Sequence, residues 1–133
     1  MNRAASVLTL TAIACAAYLS ADLAHEALGH GGACLASGGR VLLLDTTFEE
    51  CSIHTRWIDG AGPVAGIVVA ILAWLGARKA KAANFRVFLT LLFASAIFWN
   101  TGYMIKSGLG YTGDWHFLIG GLEPAALWHA GLA

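Results

Sequence analysis

Residues 4–36 form one long oily stretch, and His25-Glu26-Ala27-Leu28-Gly29-His30 stands inside it. Residues 4–24 carry a single charge, Asp22, and the apolar character resumes through Gly31-Gly32-Ala33-Cys34-Leu35-Ala36. A continuous helix over all of it would be roughly 50 Å long, against a hydrocarbon core of about 30 Å. It must tilt, protrude or break, and Gly29, Gly31 and Gly32 are the weak points. Composition agrees with a lipid solvent: 58% of residues are hydrophobic and only 12% charged, whereas soluble domains carry about a quarter charged residues. The expectation is an all-α membrane protein with three to four transmembrane helices, its residues 1–133 forming a single domain.

A second span is expected over residues 63–77, entered through Asp59-Gly60-Ala61-Gly62-Pro63 with the proline near the first helical turn, where its missing N–H costs nothing. The third, residues 87–106, is rich in Leu, Phe and Ala and ends in Trp99, Tyr103 and Lys106, types favoured at the membrane interface. Residues 116–133 are again apolar but broken by Glu123-Pro124, and form either a fourth span or a short interfacial or partial helix. Between spans one and two, residues 38–57 are polar by comparison. Gly39-Arg40-Val41-Leu42-Leu43-Leu44-Asp45 reads as a strand after a glycine turn, so a short polar loop or β-hairpin is expected there.

Eight basic and eight acidic residues cancel, and no basic cluster is interleaved with aromatics, which argues against nucleic acid as a partner. Cys15, Cys34 and Cys51 are odd in number and irregularly spaced, so at most one pair can form and the redox compartment stays open. The start, Met1-Asn2-Arg3 followed by an apolar run and Ala14-Cys15-Ala16, also fits a cleaved signal peptide. Arg78, Lys79, Lys81 and Arg86 crowd the connection between spans two and three, and Arg3 precedes span one. The positive-inside rule puts both on the cytoplasmic side. Span one then runs outward with its histidines in the later half, and span three runs outward to Gly113-Asp114-Trp115, so the two sets of polar groups approach one face.

Ionisable residues within an apolar span are costly and therefore functional candidates. His25 and His30 are imidazoles able to hold a metal, and Glu26 is a carboxylate able to move a proton. In a regular helix, residues five apart lie roughly 140° apart, against roughly 40° for residues four apart. The two histidines can share one ion only if the helix absorbs an extra residue near Gly29, and a π-turn is the known way to do so. Asp114 is the first choice for a third ligand, because the topology brings it to the histidine side. Glu49, Glu50, His54, His116 and Glu123 are the competitors. Asn100, in Phe98-Trp99-Asn100-Thr101, could hold a substrate carbonyl or its oxyanion through its amide, or could make an interhelical hydrogen bond.

These residues resemble the site-2-protease family of intramembrane zinc metallopeptidases, especially its small bacterial members. The likeness spans most of the chain: His25-Glu26 with Gly29-His30, Ala36-Ser37-Gly38-Gly39-Arg40-Val41, Ala61-Gly62-Pro63, and Asn100 followed by Asp114. It implies that His25, His30 and Asp114 bind Zn2+, that Glu26 is the general base activating a zinc-bound water, and that Asn100 helps to bind substrate. It also implies residence in the membrane, as an integral protein of the bacterial inner (cell) membrane. The chain departs from the family in three ways. Its motif is one residue longer than His-Glu-x-x-His, Thr101 to Gly113 lacks proline, and Gly66 stands where asparagine often follows Ala-Gly-Pro. The six-residue form is similar to the zinc motif of dipeptidyl peptidase III, whose third ligand is a glutamate of a Glu-Glu segment, which keeps Glu49 and Glu50 as alternatives to Asp114. The site-2 family usually opens its active site to the cytosol, whereas the charge rule here points the other way.

The function expected is therefore a zinc-dependent metalloendopeptidase that hydrolyses peptide bonds of membrane-anchored proteins or peptides. The alternatives are a non-catalytic metal- or haem-binding membrane protein and an inactive regulatory membrane subunit. A chain this small could also need a partner subunit or a second copy of itself.

Overall fold

The computed structural model describes residues 6–133 and is mostly helical, with one two-stranded sheet. Helix α1 (Val7–Leu23) begins at Ser6, whose hydroxyl accepts from the Thr9 amide and so satisfies one of the free N–H groups of the first turn. It runs without interruption into a π-helical segment (Ala24–Gly31), and that into α2 (Gly32–Ala36). Strands β1 (Val41–Leu44) and β2 (Glu49–Cys51) pair antiparallel, with Leu43 opposite Glu50 and Leu44 opposite Glu49, and the register shifts between Val41 and Leu43. The hairpin expected between the first two spans is thus present, after a turn at Gly38.

Helices α3 (Arg56–Lys79) and α4 (Ala83–Gly110) follow. With the 30 residues from Val7 to Ala36, they are, among the described residues, the three helices long and apolar enough to cross a membrane. Two corrections apply to the second. It starts seven residues before Pro63, because the Thr55 side chain accepts from the Ile58 amide and caps the helix there. Pro63 is consequently an interior, buried residue, which leaves the Asp59 carbonyl without its usual intrahelical donor; neighbouring helices make such prolines tolerable in apolar spans. The third span is also longer than its hydropathy suggested. Residues 116–133 do not form a span: α5 (Asp114–Ile119) and α6 (Ala125–Leu132) have only 6 and 8 residues.

The buried apolar cluster is made of Ala17, Ala21, Ala70, Ala73, Leu92 and Ala96, contributed by α1, α3 and α4. Small side chains let helix backbones approach closely where surrounding lipid offers no hydrophobic driving force. Large apolar residues point outward instead: Val7, Leu8, Leu28, Trp57, Phe98 and Leu109 are all more than two-thirds exposed. Charge follows helix polarity in α3, with Asp59 in the first turn and Arg78 and Lys79 in the last, as the helix dipole favours.

Candidate metal centre

The helix is not regular through Gly29. The π segment carries both histidines, and its i to i+5 bonding returns residues five apart to one face. His25 Nε2 and His30 Nε2 are 3.2 Å apart. Against them comes Asp114, whose Oδ2 lies 3.0 Å from His25 Nε2 and 3.4 Å from His30 Nε2. Its position follows from the end of α4, where Tyr111 is left-handed (φ 52°) and Gly113 has φ 88°. Only a residue without Cβ takes up that last angle at no cost, and it turns the chain back so that α5 starts at Asp114.

Two backbone features hold the imidazoles. His30 Nδ1 donates to the Ile58 carbonyl at 2.6 Å, which leaves the Nε2 lone pair facing the point where the three groups converge. Gly62 then passes directly against the Nε2 edges of both rings: a Cβ built there would stand 2.6 Å from His25 Nε2 and closer still to His30 Nε2. Gly29 packs on the same stretch of α3, where its own Cβ would meet Gly62 Cα at 2.5 Å. The π segment and α3 therefore meet backbone to backbone, with the imidazoles lodged against bare main chain.

Three ligand atoms of a tetrahedral zinc, each roughly 2.0–2.1 Å from the ion, stand about 3.3 Å apart. The observed triangle of 3.0, 3.2 and 3.4 Å matches that spacing, and two imidazoles with one carboxylate are a donor set suited to zinc. Burial alone would raise the Asp114 pKa, but hydrogen bonds with His25 and His30, and their charge, bring the carboxyl down to about 2. It is an anion at any ordinary pH.

Glu26 is the neighbour of His25 and only 5% exposed. It lines a cavity of about 300 Å³ together with His30, Glu49, Asp59, Tyr103 and Asp114. Among the described residues its side chain has no hydrogen bond or ion pair. Its carboxylate is held next to the histidine pair without being spent on the protein.

The other sequence candidates are placed as follows. Asn100 lies one turn deeper than the histidines: its Nδ2 donates to the Ala96 carbonyl, its amide fills the space beside Gly66, and its Oδ1 is buried without a partner. It does not line the cavity. Glu49 and Glu50 on β2 border the cavity, and burial raises the Glu49 pKa, but neither joins the histidine triangle; Glu49 sits instead beside Cys34 and Cys51. Those two cysteines form a disulfide that ties α2 to β2. His54 pairs with Asp59 at 3.0 Å. His116 packs its ring against His129, centroids 5.2 Å apart, and Glu123 approaches the Ala125 amide.

Sequence reasoning missed three contributors. Tyr103, an interfacial aromatic by its place in the sequence, lines the cavity, its ring stacked on Trp99 and 6.1 Å from that of His25. Asp59, part of a helix entry by sequence, lines it too, and an acid so near an apolar span is the signal that marks it. The Ile58 carbonyl could not be found from residue types at all.

In comparisons with family models, curated proteins and solved structures, the chain matches none.

Proposed function

We propose that the protein is an integral membrane zinc metallopeptidase that hydrolyses peptide bonds of membrane-anchored proteins or peptides. The observation that carries this reading is the convergence of His25, His30 and Asp114 at zinc spacing, with the unpartnered Glu26 carboxylate on the same π segment and facing the same cavity. Residence in the membrane is supported by three long apolar helices whose large side chains face outward over a core of alanines. The likeness of these residues to the site-2-protease pattern adds the expectation of proteolysis at or within the bilayer.

His25, His30 and Asp114 would hold the metal, which when bound polarises a carbonyl and makes water acidic near neutral pH. The remaining work falls to the chain's own groups. Glu26 accepts a proton from water in the cavity and returns it to the departing amine, the general acid and base exchange that such a carboxylate performs. The Ile58 carbonyl keeps His30 in the tautomer that offers Nε2. Tyr103, on the cavity wall, supplies a hydroxyl able to donate to the oxygen of the carbonyl under attack. Asn100 is a poorer candidate for that donor because its Nδ2 is engaged with Ala96.

The test is Glu26→Gln, reconstituted with zinc in proteoliposomes containing a single-span reporter. Cleavage is expected to disappear while one metal per chain remains by elemental analysis. Unchanged cleavage with metal retained would overturn the peptidase reading, and stoichiometric iron or copper in the parent protein as purified, before zinc is added, would replace it with a non-catalytic metal protein.

A further inference from the structure

We infer that the candidate site opens on the oxidising, non-cytoplasmic side of the membrane and acts on the outward ends of membrane-anchored segments; the second half of this inference rests on the peptidase reading above. Two independent observations select the same side. The first is charge. The turn joining α3 to α4 carries Arg78, Lys79, Lys81 and Arg86 within nine residues, and short loops dense in Lys and Arg stay in the cytoplasm. At the opposite end the cations are dispersed: Arg40 sits in the hairpin region, Arg56 donates to the Gly120 carbonyl, and Lys106 lies over the Tyr103 ring.

The second observation is covalent. Cys34 closes the first long helix just past the π segment, and Cys51 lies on the strand that borders the cavity. Their disulfide is therefore at the site end of the molecule. Such bonds persist in oxidising compartments and are rare in the cytosol, where thiols are kept reduced. A cytosolic site would require both the bond to survive reduction and the cationic turn to be translocated.

The depth of the site follows from helix geometry. His25 lies 18 residues beyond Val7, about 27 Å along the axis of a helix crossing a core of about 30 Å. The histidines consequently lie close to the outer interface, beneath the hairpin and α5. The scissile bond must be presented at that level, which is the last turns of an anchor or the residues just outside it.

Topology is read in spheroplasts expressing the full chain with Cys15→Ala and the native disulfide retained. Thr112→Cys and Ala82→Cys, both at exposed positions at opposite ends, are labelled separately with a membrane-impermeant maleimide. Thr112→Cys is expected to react in intact spheroplasts and Ala82→Cys only after permeabilisation. In acid-quenched protein without an added cysteine, maleimide should attach only after reduction, at Cys34 and Cys51. Reversed labelling, or free Cys34 and Cys51 in the membrane, would overturn the orientation. The pattern should be identical in Glu26→Gln, because orientation does not depend on hydrolysis. A reporter carrying one randomised segment at either its outward or its inward end completes the test. Glu26-dependent cleavage at the outward end alone supports the substrate class, and cleavage at the inward end overturns it. No cleavage at either end, with outward labelling intact, counts against the peptidase reading and leaves the orientation standing.

Discussion

Substituting Gly62 by alanine adds one methyl group at the most constrained point of the molecule. In an ordinary helix interior this change is stabilising by roughly 0.5–1 kcal/mol, because alanine loses less backbone entropy than glycine. At Gly62 the new Cβ would stand 2.6 Å from His25 Nε2, whereas ordinary contact begins at 3.4 Å. The His25 imidazole must retreat by about 0.8 Å and that of His30 by more, at least some four times the roughly 0.2 Å within which metal–ligand distances are held. They cannot do so freely, since His30 is tethered to the Ile58 carbonyl at 2.6 Å and Gly29 is wedged against Gly62 from the same side. Loss of a group that merely orients a ligand costs 10–100-fold in metal affinity. Direct displacement of both histidines should reach at least about 100-fold, or about 2.8 kcal/mol. Zinc affinity measured by competition with a chromophoric chelator in detergent is the assay, with Gly102→Ala as control, since a Cβ at Gly102 meets nothing within 4 Å. Gly102→Ala should bind zinc as the parent does and unfold at the same or higher temperature. Parental zinc affinity and thermal midpoint in Gly62→Ala would refute the argument, because they would show that the two nitrogens do not abut the backbone of α3.

Asp114→Asn removes the anionic oxygen and leaves the shape, so zinc should be held more weakly by chelator competition while the thermal stability of the metal-free protein changes little; equal affinity would remove Asp114 from the ligand set. Tyr103→Phe deletes only a hydroxyl, and with a cleavable reporter should lower kcat by about 100-fold at unchanged zinc content, while an unchanged kcat would return the substrate-carbonyl role to Asn100. Asn100→Ala is expected to behave oppositely, loosening the packing on Gly66 and lowering the thermal midpoint with kcat nearly preserved. Reduction of the Cys34–Cys51 bond, which closes a separation of 17 residues, should destabilise the protein by about 3 kcal/mol on the chain-entropy argument. That loss is read from denaturation with and without dithiothreitol, and Cys15→Ala should not alter it.

The coarse architecture was legible because hydropathy and caps act locally. Three long apolar runs separated by a polar segment specify three long helices, and the glycine turn before Val41 specifies the strand. The start of α3 was misplaced because Pro63 is a strong local signal for a helix start, whereas the Thr55 cap eight residues upstream is a weak one that the structure nevertheless uses. At the site, the demand for a π-turn followed from spacing alone, since two ligands five apart cannot share an α-helical face. The approach of Asp114 was legible only through topology. What sequence could not convey were distances between segments far apart in the chain. The role of the Ile58 carbonyl has no side-chain signature, and the close passage of Gly62 by the two Nε2 atoms requires the crossing of two helices to be known.

The residue that lengthens the motif is taken up where it stands. The π segment accommodates it within Ala24–Gly31, so the turns that follow keep the phase a shorter motif would give them. Deleting Ala27 would restore the His-Glu-x-x-His pattern as ordinary α-helix and still leave two histidines on one face. Cys34, fully buried, would remain four residues beyond His30 and within reach of Cys51. The long and the common form of the motif are thus interchangeable at the level of the helix, and the covalent link to the strand that walls the cavity is independent of which one the chain carries.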